Sequence, residues 1–264
     1  MSGHSHSKTI KHQKDLADAE KGKMFSKFGR LIILAAKEGG DPITNPKLKV
    51  VIEQAKQFNM PKENIERAIK KGTGELASEK LEEVSYEGFG PGGIAIIITG
   101  ITDNTNRTLG EIKATLNQNG GKLAGEGAVK WMFDRKGTIT VSAGMTSKEE
   151  LELLAIELGA EDVHWHDDAL DIYTKPEDLE KIKKAIEEKF RLINNRESPD
   201  FIEDPLQGRD STESGQIKID SASLDYVAKE EVVLSEKEKE AAQRLFEALD
   251  ENDAVNDIYS NIKN

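Results

Sequence analysis

The sequence predicts an α+β protein: an all-helical N-terminal domain followed by two mixed α/β domains, ferredoxin-like in their element order, one inserted into the other. Three observations carry this. Apolar residues recur at helical spacing up to about residue 72, β-branched runs begin at residue 81, and strands and helices alternate from there on. The chain has 264 residues, and single cores stop growing near roughly 250 residues, so more than one core is expected. The predicted boundaries are 1–80 for the helical domain, 81–135 with 226–264 for a discontinuous α/β domain, and 136–225 for the inserted one.

In the first domain Ala17, Met24, Phe28, Leu31, Ile32 and Ala35 share one face of a long helix over Asp15–Lys37, stopped by Gly39, Gly40 and Pro42. Asn45 and Pro46 supply an N-cap and a first-turn proline for a second helix, whose stripe is Leu48, Val51, Ile52, Ala55 and Phe58. Pro61 opens a third with Ile65, Ala68 and Ile69 inward, and Lys70, Lys71 and a C-cap at Gly72 close it.

The second region starts with the strands VSYEGFG and IAIIITGIT, the latter too uniformly apolar to lie exposed. A helix near Asn106–Gln118 follows, then strands through AVKWMFD and GTITVSA. KEELELLAIEL (helix), DVHWH and ALDIYT (strands), PEDLEKIKKAIEEKF (helix) and a closing strand at SLDYV complete a βαββαβ order. Residues 191–220 are polar and proline-containing and read as a flexible insert. The tail reads as strand (EEVVLS), helix (EKEKEAAQRLFEALDEN) and strand (AVNDIYSNI), finishing the domain begun at 81.

Charge is split along the chain. Residues 1–72 hold 15 Lys and Arg against 8 Asp and Glu, a balance of +7, and the remainder hold 22 against 41, a balance of −19. Charges act over about 10 Å at ordinary salt, so the basic end can meet phosphates despite the overall −12. Lys23, Lys27, Arg30 and Lys37 fall within roughly 80° of one another on a helix and form a basic stripe. Lys8, Lys11, His12 and Lys14 precede it, and Arg67, Lys70 and Lys71 follow on the third helix. A solvated helix face is the plain alternative for any such stripe. The split favours nucleic-acid contact, mostly through phosphates because Lys outnumbers Arg. Six to ten such contacts imply an affinity loss of about 10³ to 10⁵ between 50 and 200 mM salt.

Other constellations are weaker. Gly88, Gly90 and Gly93 satisfy GxGxxG, but a strand follows instead of a helix, so a strand-to-strand turn is expected rather than a dinucleotide site. His164, His166, Asp167 and Asp168 imitate metal-ligand spacing, and alternation also explains them as the exposed side of a strand whose Val163 and Trp165 face the core. His4, His6 and His12 lie in a terminal arm. Asn104, Asn106, Arg107 and Thr108 begin a helix, with Thr108 and Glu111 at capping-box spacing and Arg107 placed for a phosphate. Tyr86, Phe89, Trp131 and Phe133 could stack on bases, and alternation makes Trp131 and Phe133 co-facial, as core packing would also require.

The chain has no Cys, which removes disulfides, thiol nucleophiles and thiolate metal sites. No apolar run approaches the roughly 18 residues of a membrane span, and no signal-peptide stretch opens the sequence, so a cytoplasmic location is expected. Without a nucleophile–base–acid set or a phosphate loop, no catalytic residue, cofactor or metal is expected. A hydrolase centred on His164 and His166 and a pure protein-interaction module are the competing classes.

The blocks MSGHS, EKGKMFSK, GGDP, NPKLK, NMPKENIERAIKKGTGE, YEGFGPGG, TDNTNRT, NGGKLAGEGAVKWMFDRKG and VNDIYSN together resemble the YebC/PmpR family over nearly the whole chain. That resemblance implies a helical N-terminal domain plus two mixed α/β domains. It also implies a role as a DNA-binding transcriptional regulator or as a ribosome-associated factor aiding synthesis of proline-rich stretches. On the charge split, protein partners would meet the acidic α/β domains. Two departures stand out: Gly3-His4-Ser5-His6-Ser7 replaces the family's GHSKW, and the insert at 191–220 is longer than the family's usual connection.

Overall fold

The computed structural model describes residues 18–77, 80–142, 147–166, 169–196 and 217–263. It divides into two compact units. One is Asp134–Val227; the other comprises the described residues up to Phe133 together with Ala228–Lys263.

The second of these units begins with three helices, α1 (Asp18–Ala36), α2 (Pro46–Gln57) and α3 (Lys62–Gly72). Asn45 caps α2, its side chain accepting from the Leu48 N–H at 3.1 Å while its amide donates to the carbonyls of Ala35 and Gly39, both at 2.8 Å. One buried side chain thus fixes the α1–α2 turn. Pro61 precedes α3, as its sequence implied, but the C-cap is Thr73 and Gly72 is the last helical residue. A Cβ on Gly72 would lie 2.4 Å from the Ile33 carbonyl oxygen and 2.6 Å from the Ala36 Cβ, so the glycine is required for close approach of α3 to α1.

An antiparallel sheet follows in the order β3-β1-β2-β8, built from β1 (Glu82–Phe89), β2 (Ala95–Thr102), β3 (Lys122–Leu123) and β8 (Val255–Ser260). The helices α4 (Thr105–Gln118) and α7 (Glu236–Asp250) supply Ile112, Leu116, Leu245 and Leu249 to a core with Ile96 and Ile98 of β2. Ile101 of the same strand, with Leu81, joins the core formed by α1, α2 and α3. The run IAIIITGIT is apolar throughout because β2 contributes to both cores. GFGPGG is the β1–β2 turn, with Gly92 and Gly93 at φ of 70° and 76°. EEVVLS is not a strand: Val232 makes only an isolated bridge to Ile262.

The other unit holds β4 (Phe133–Ser142), α5 (Lys148–Glu157), β5 (Asp162–His166), β6 (Ala169–Thr174), α6 (Leu179–Arg196) and β7 (Lys218–Ala228). The sheet order β5-β6-β4-β7 with this element sequence is the ferredoxin-like arrangement. Its core is Ile139, Val141, Leu151, Ile172, Ile182 and Ile186, with Val163 and Trp165 of β5 packed against it. Part of the insert predicted at 191–220 is regular structure, because α6 continues to Arg196 and β7 starts at Lys218. Likewise AVKWMFD becomes strand only at Phe133, and Trp131 sits in a short 3₁₀ turn over Lys130–Met132. Among the described residues no helix is long and apolar enough to cross a membrane.

Candidate nucleic-acid interface

The basic stripe of α1 is one face, as its periodicity requires, but that face is turned onto the molecule. Lys27 Nζ lies 2.6 Å from the Asp250 carboxylate and 3.3 Å from the Asp250 carbonyl oxygen, and the residue is only 5 % exposed. Lys23 pairs with Glu251, and Arg30 donates to the Asp253 carbonyl oxygen. Lys37 donates to the Leu81 carbonyl oxygen at 2.8 Å. The stripe read as a phosphate-contacting face thus carries a second commitment: Lys23, Lys27, Arg30 and Lys37 each bond to a partner within the chain. Its physical reason is the acidic corner between α7 and β8, which supplies three of the four partners.

That corner is rigidly built. Asn252 Nδ2 donates to Glu111 at 2.8 Å, Asn252 Oδ1 accepts from the Ala254 N–H at 2.9 Å, and the Ala254 carbonyl accepts from the Ile101 N–H at 2.8 Å. It is thereby anchored to both α4 and β2.

Beside the stripe, α1 and α3 bound a groove of about 740 Å³. From α3, Asn64, Arg67 and Lys71 line it at i, i+3 and i+7, one face of a helix. From α1 comes Arg30, whose guanidinium also donates to the Asp253 carbonyl oxygen. Phe25, Ile33 and Met60 form an apolar floor. Among the described residues three cations line the groove and no carboxylate does. Arg67 is held by Asn64, Nη2 to Oδ1 at 2.5 Å, so one guanidinium edge is oriented while the residue stays exposed. A wall of two guanidinium groups and an ammonium over a neutral floor suits a chain of phosphates, bidentate at each Arg and as a point charge at Lys71.

The remaining candidates fall elsewhere. Lys8, Lys11, His12 and Lys14, with His4 and His6, lie outside the described residues. Lys70 is exposed on α3 but does not line the groove. Arg107, placed by the sequence for a phosphate, stands exposed beside the N-terminus of α4 and pairs with two carboxylates, Asp103 at 2.6 Å and Glu111 at 3.8 Å. The N-cap of α4 is Asn104, accepting from the Arg107 N–H at 3.0 Å, while Thr108 is buried against Thr102 at 2.8 Å, so the capping-box spacing of Thr108 is coincidental. His166 Nδ1 lies 2.9 Å from Asp171, a buried carboxylate that also accepts from Thr140 at 2.6 Å. Among the described residues no group of three or more metal-ligating side chains converges; Asp167 and Asp168 lie outside them.

Sequence reasoning missed Glu87. Its carboxylate is buried and accepts three backbone N–H groups, from Gly127 and Val129 at 2.7 Å and from Lys130 at 2.9 Å. Burial pushes this carboxyl up, and the three donors with the Lys130 charge more than reverse it, so the group sits below the ordinary value of 4.5. Nothing in the strand-like run set it apart, because Glu82, Glu83 and Ser85 are polar there too.

A helical head joined to an interrupted antiparallel sheet, with a ferredoxin-like unit inserted, defines a multidomain α+β class. Residues 5–75 match the TACO1/YebC protein N-terminal domain, and residues 81–199 and 208–262 match the TACO1/YebC second and third domain. The chain belongs to the TACO1/YebC family. It is 43 % identical over 265 residues to a probable transcriptional regulatory protein of Caldanaerobacter subterraneus subsp. tengcongensis, covering 100 % of this chain and 98 % of that one. A protein of the same description from Thermoanaerobacter pseudethanolicus is 42 % identical, with 100 % and 97 % covered. The crystal structure of a conserved hypothetical protein from Aquifex aeolicus superposes with a TM-score of 0.79 at 40 % identity, over 96 % of this chain and 95 % of that one.

Proposed function

We propose that this protein is a non-catalytic regulator of gene expression that holds a sugar-phosphate backbone in the groove between α1 and α3. The observation that carries the reading is the convergence of Arg30, Arg67 and Lys71 on a groove with no carboxylate among its described lining residues. Duplex DNA is the leading target, in keeping with the name of the relatives as probable transcriptional regulatory proteins. Three phosphate contacts correspond to a log–log salt slope of about −2.7, or about forty-fold between 50 and 200 mM salt, well below the loss expected if the whole stripe met phosphates.

A ribosome-associated translation factor is the second reading. It uses the same three cations, because phosphate contacts do not separate duplex DNA from folded RNA. One observation favours it: Trp131 is 68 % exposed, and a projecting indole suits unpaired bases better than a closed duplex. Crosslinking in cells with bound DNA and RNA sequenced side by side tests both. Enrichment on promoters supports the transcriptional reading. Enrichment on ribosomal RNA, with ribosomes pausing at proline codons on depletion, supports the translational one, and enrichment of neither overturns the proposal.

A further inference from the structure

The buried Glu87 carboxylate and the exposed Trp131 belong to one device. Strand β3 leads into residues 124–130, and that segment is fixed from within. The Ala124 N–H donates to the Glu87 carbonyl at 2.8 Å, the three N–H groups already named converge on the Glu87 carboxylate, and the Ala128 N–H donates to the Gly125 carbonyl at 3.1 Å. Val129 is fully buried and Gly127 takes φ of 81°, so the segment is pinned at one point and bent at the next. Trp131 follows at once. Its Nε1–H donates to the Ala128 carbonyl at 3.0 Å, which satisfies its one polar atom inside the loop and fixes the ring. What faces solvent is most of a large, held side chain.

Lone exposed apolar residues are ordinary, but a rotamer-locked indole on a loop stapled by a buried carboxylate has its ordering cost already met in the free protein. The surroundings suit a nucleic-acid strand more than an aliphatic protein face. Exposed Lys122 and Lys130 flank the loop, which also carries exposed Glu126, with Lys130 close enough to act on the Glu87 carboxylate, and Phe89, 38 % exposed, is paired in register with Lys122 on the adjoining strand. Aromatic rings interleaved with cations are the pattern on which unpaired bases stack while their phosphates are neutralised.

We propose that Trp131 is a stacking platform for an unpaired nucleobase, held ready by Glu87. This rests on the nucleic-acid reading above and adds the class of strand recognised: single-stranded segments or flipped-out bases, separate from the backbone contacts of the groove. Glu87 is a positioning residue that never touches the ligand, so Glu87→Gln should weaken the base-bearing strand and spare an abasic one, and an equal loss for both would overturn that role.

The test uses the full chain. The sequence holds two tryptophans, so a Trp165→Phe variant leaves Trp131 as the sole indole reporter. It is titrated with an end-labelled oligouridylate, a fully paired duplex, and an abasic sugar-phosphate strand of equal length, reading indole emission and label anisotropy together. Expected is quenching by the base-bearing single strand alone, although all three bind. Trp131→Ala should weaken the base-bearing strand roughly 5- to 150-fold and leave the abasic strand unaffected. Trp131→Tyr, which keeps a ring, should recover most of that loss and guards against a merely disturbed loop. Binding by anisotropy with unchanged emission, or equal loss for both single strands, overturns the stacking role while leaving the groove intact. No binding of any of the three overturns the groove reading, and this one with it.

Discussion

Lys27 is the residue on which the head of the molecule turns. Its ammonium is buried between the Asp250 carboxylate and the Asp250 carbonyl, so removing it takes the paired cation from a carboxylate that is only partly open to water. Breaking such a pair from one side costs about 3 kcal/mol. Lys27→Met should therefore lower the unfolding free energy by about that amount, read as a lower urea midpoint at unchanged m-value, whereas Lys70→Ala, on an exposed surface, should leave the midpoint in place. Glu87 makes a different prediction because its folded pKa lies below 4.5. A depressed folded value means that its contribution is complete above the unfolded value and is lost as pH falls through the folded one. The stability gap between the native chain and Glu87→Gln, about 2 kcal/mol for charge-assisted bonds, should stay flat above about pH 5 and shrink below about 4.5, as read by urea unfolding at stepped pH. Neither role was legible in the sequence. Helical periodicity places Lys23, Lys27 and Arg30 on one face but is silent on what the face meets, and the partner of Lys27 lies 223 positions away.

At the scale of elements, the groove exists because α3 runs close against α1, and Gly72 permits that approach. Gly72→Ala would drive a methyl into the Ile33 carbonyl, costing about 1–3 kcal/mol as overpacking and prising α3 outward. A lower melting temperature together with weaker polyanion binding, both measured on the full chain, is the expected outcome. Helices and strands with strong period or strong caps were readable: Asn45 and Pro46 mark the start of α2, Pro61 that of α3, and DVHWH and ALDIYT coincide with β5 and β6. Misreadings arose where a local pattern was overridden by long-range pairing. EEVVLS has the composition of a strand, yet only Val232 finds a bridge partner. AVKWMFD alternates plausibly, but the N–H groups of Val129 and Lys130 go to Glu87 instead of a neighbouring strand, and that converts its first half into a loop.

For the whole molecule, the charge split along the chain acquires two uses. Part of the basic head is consumed in docking to the acidic α7–β8 corner, part is left facing the groove as Arg67 and Lys71, and Arg30 meets both. Composition reported the sum and could not divide it, since both kinds of cation come from the same helices. The division is what binding in salt should reveal. Log affinity against log salt, measured by anisotropy on the full chain with either a DNA duplex or a folded RNA, gives the number of phosphates neutralised. Replacing Arg67 and Lys71 by alanine should make the slope shallower by about 1.8 on DNA, at about 0.9 for each phosphate no longer neutralised, while Lys37→Ala leaves it unchanged. A slope that stays the same in the double variant would contradict the account.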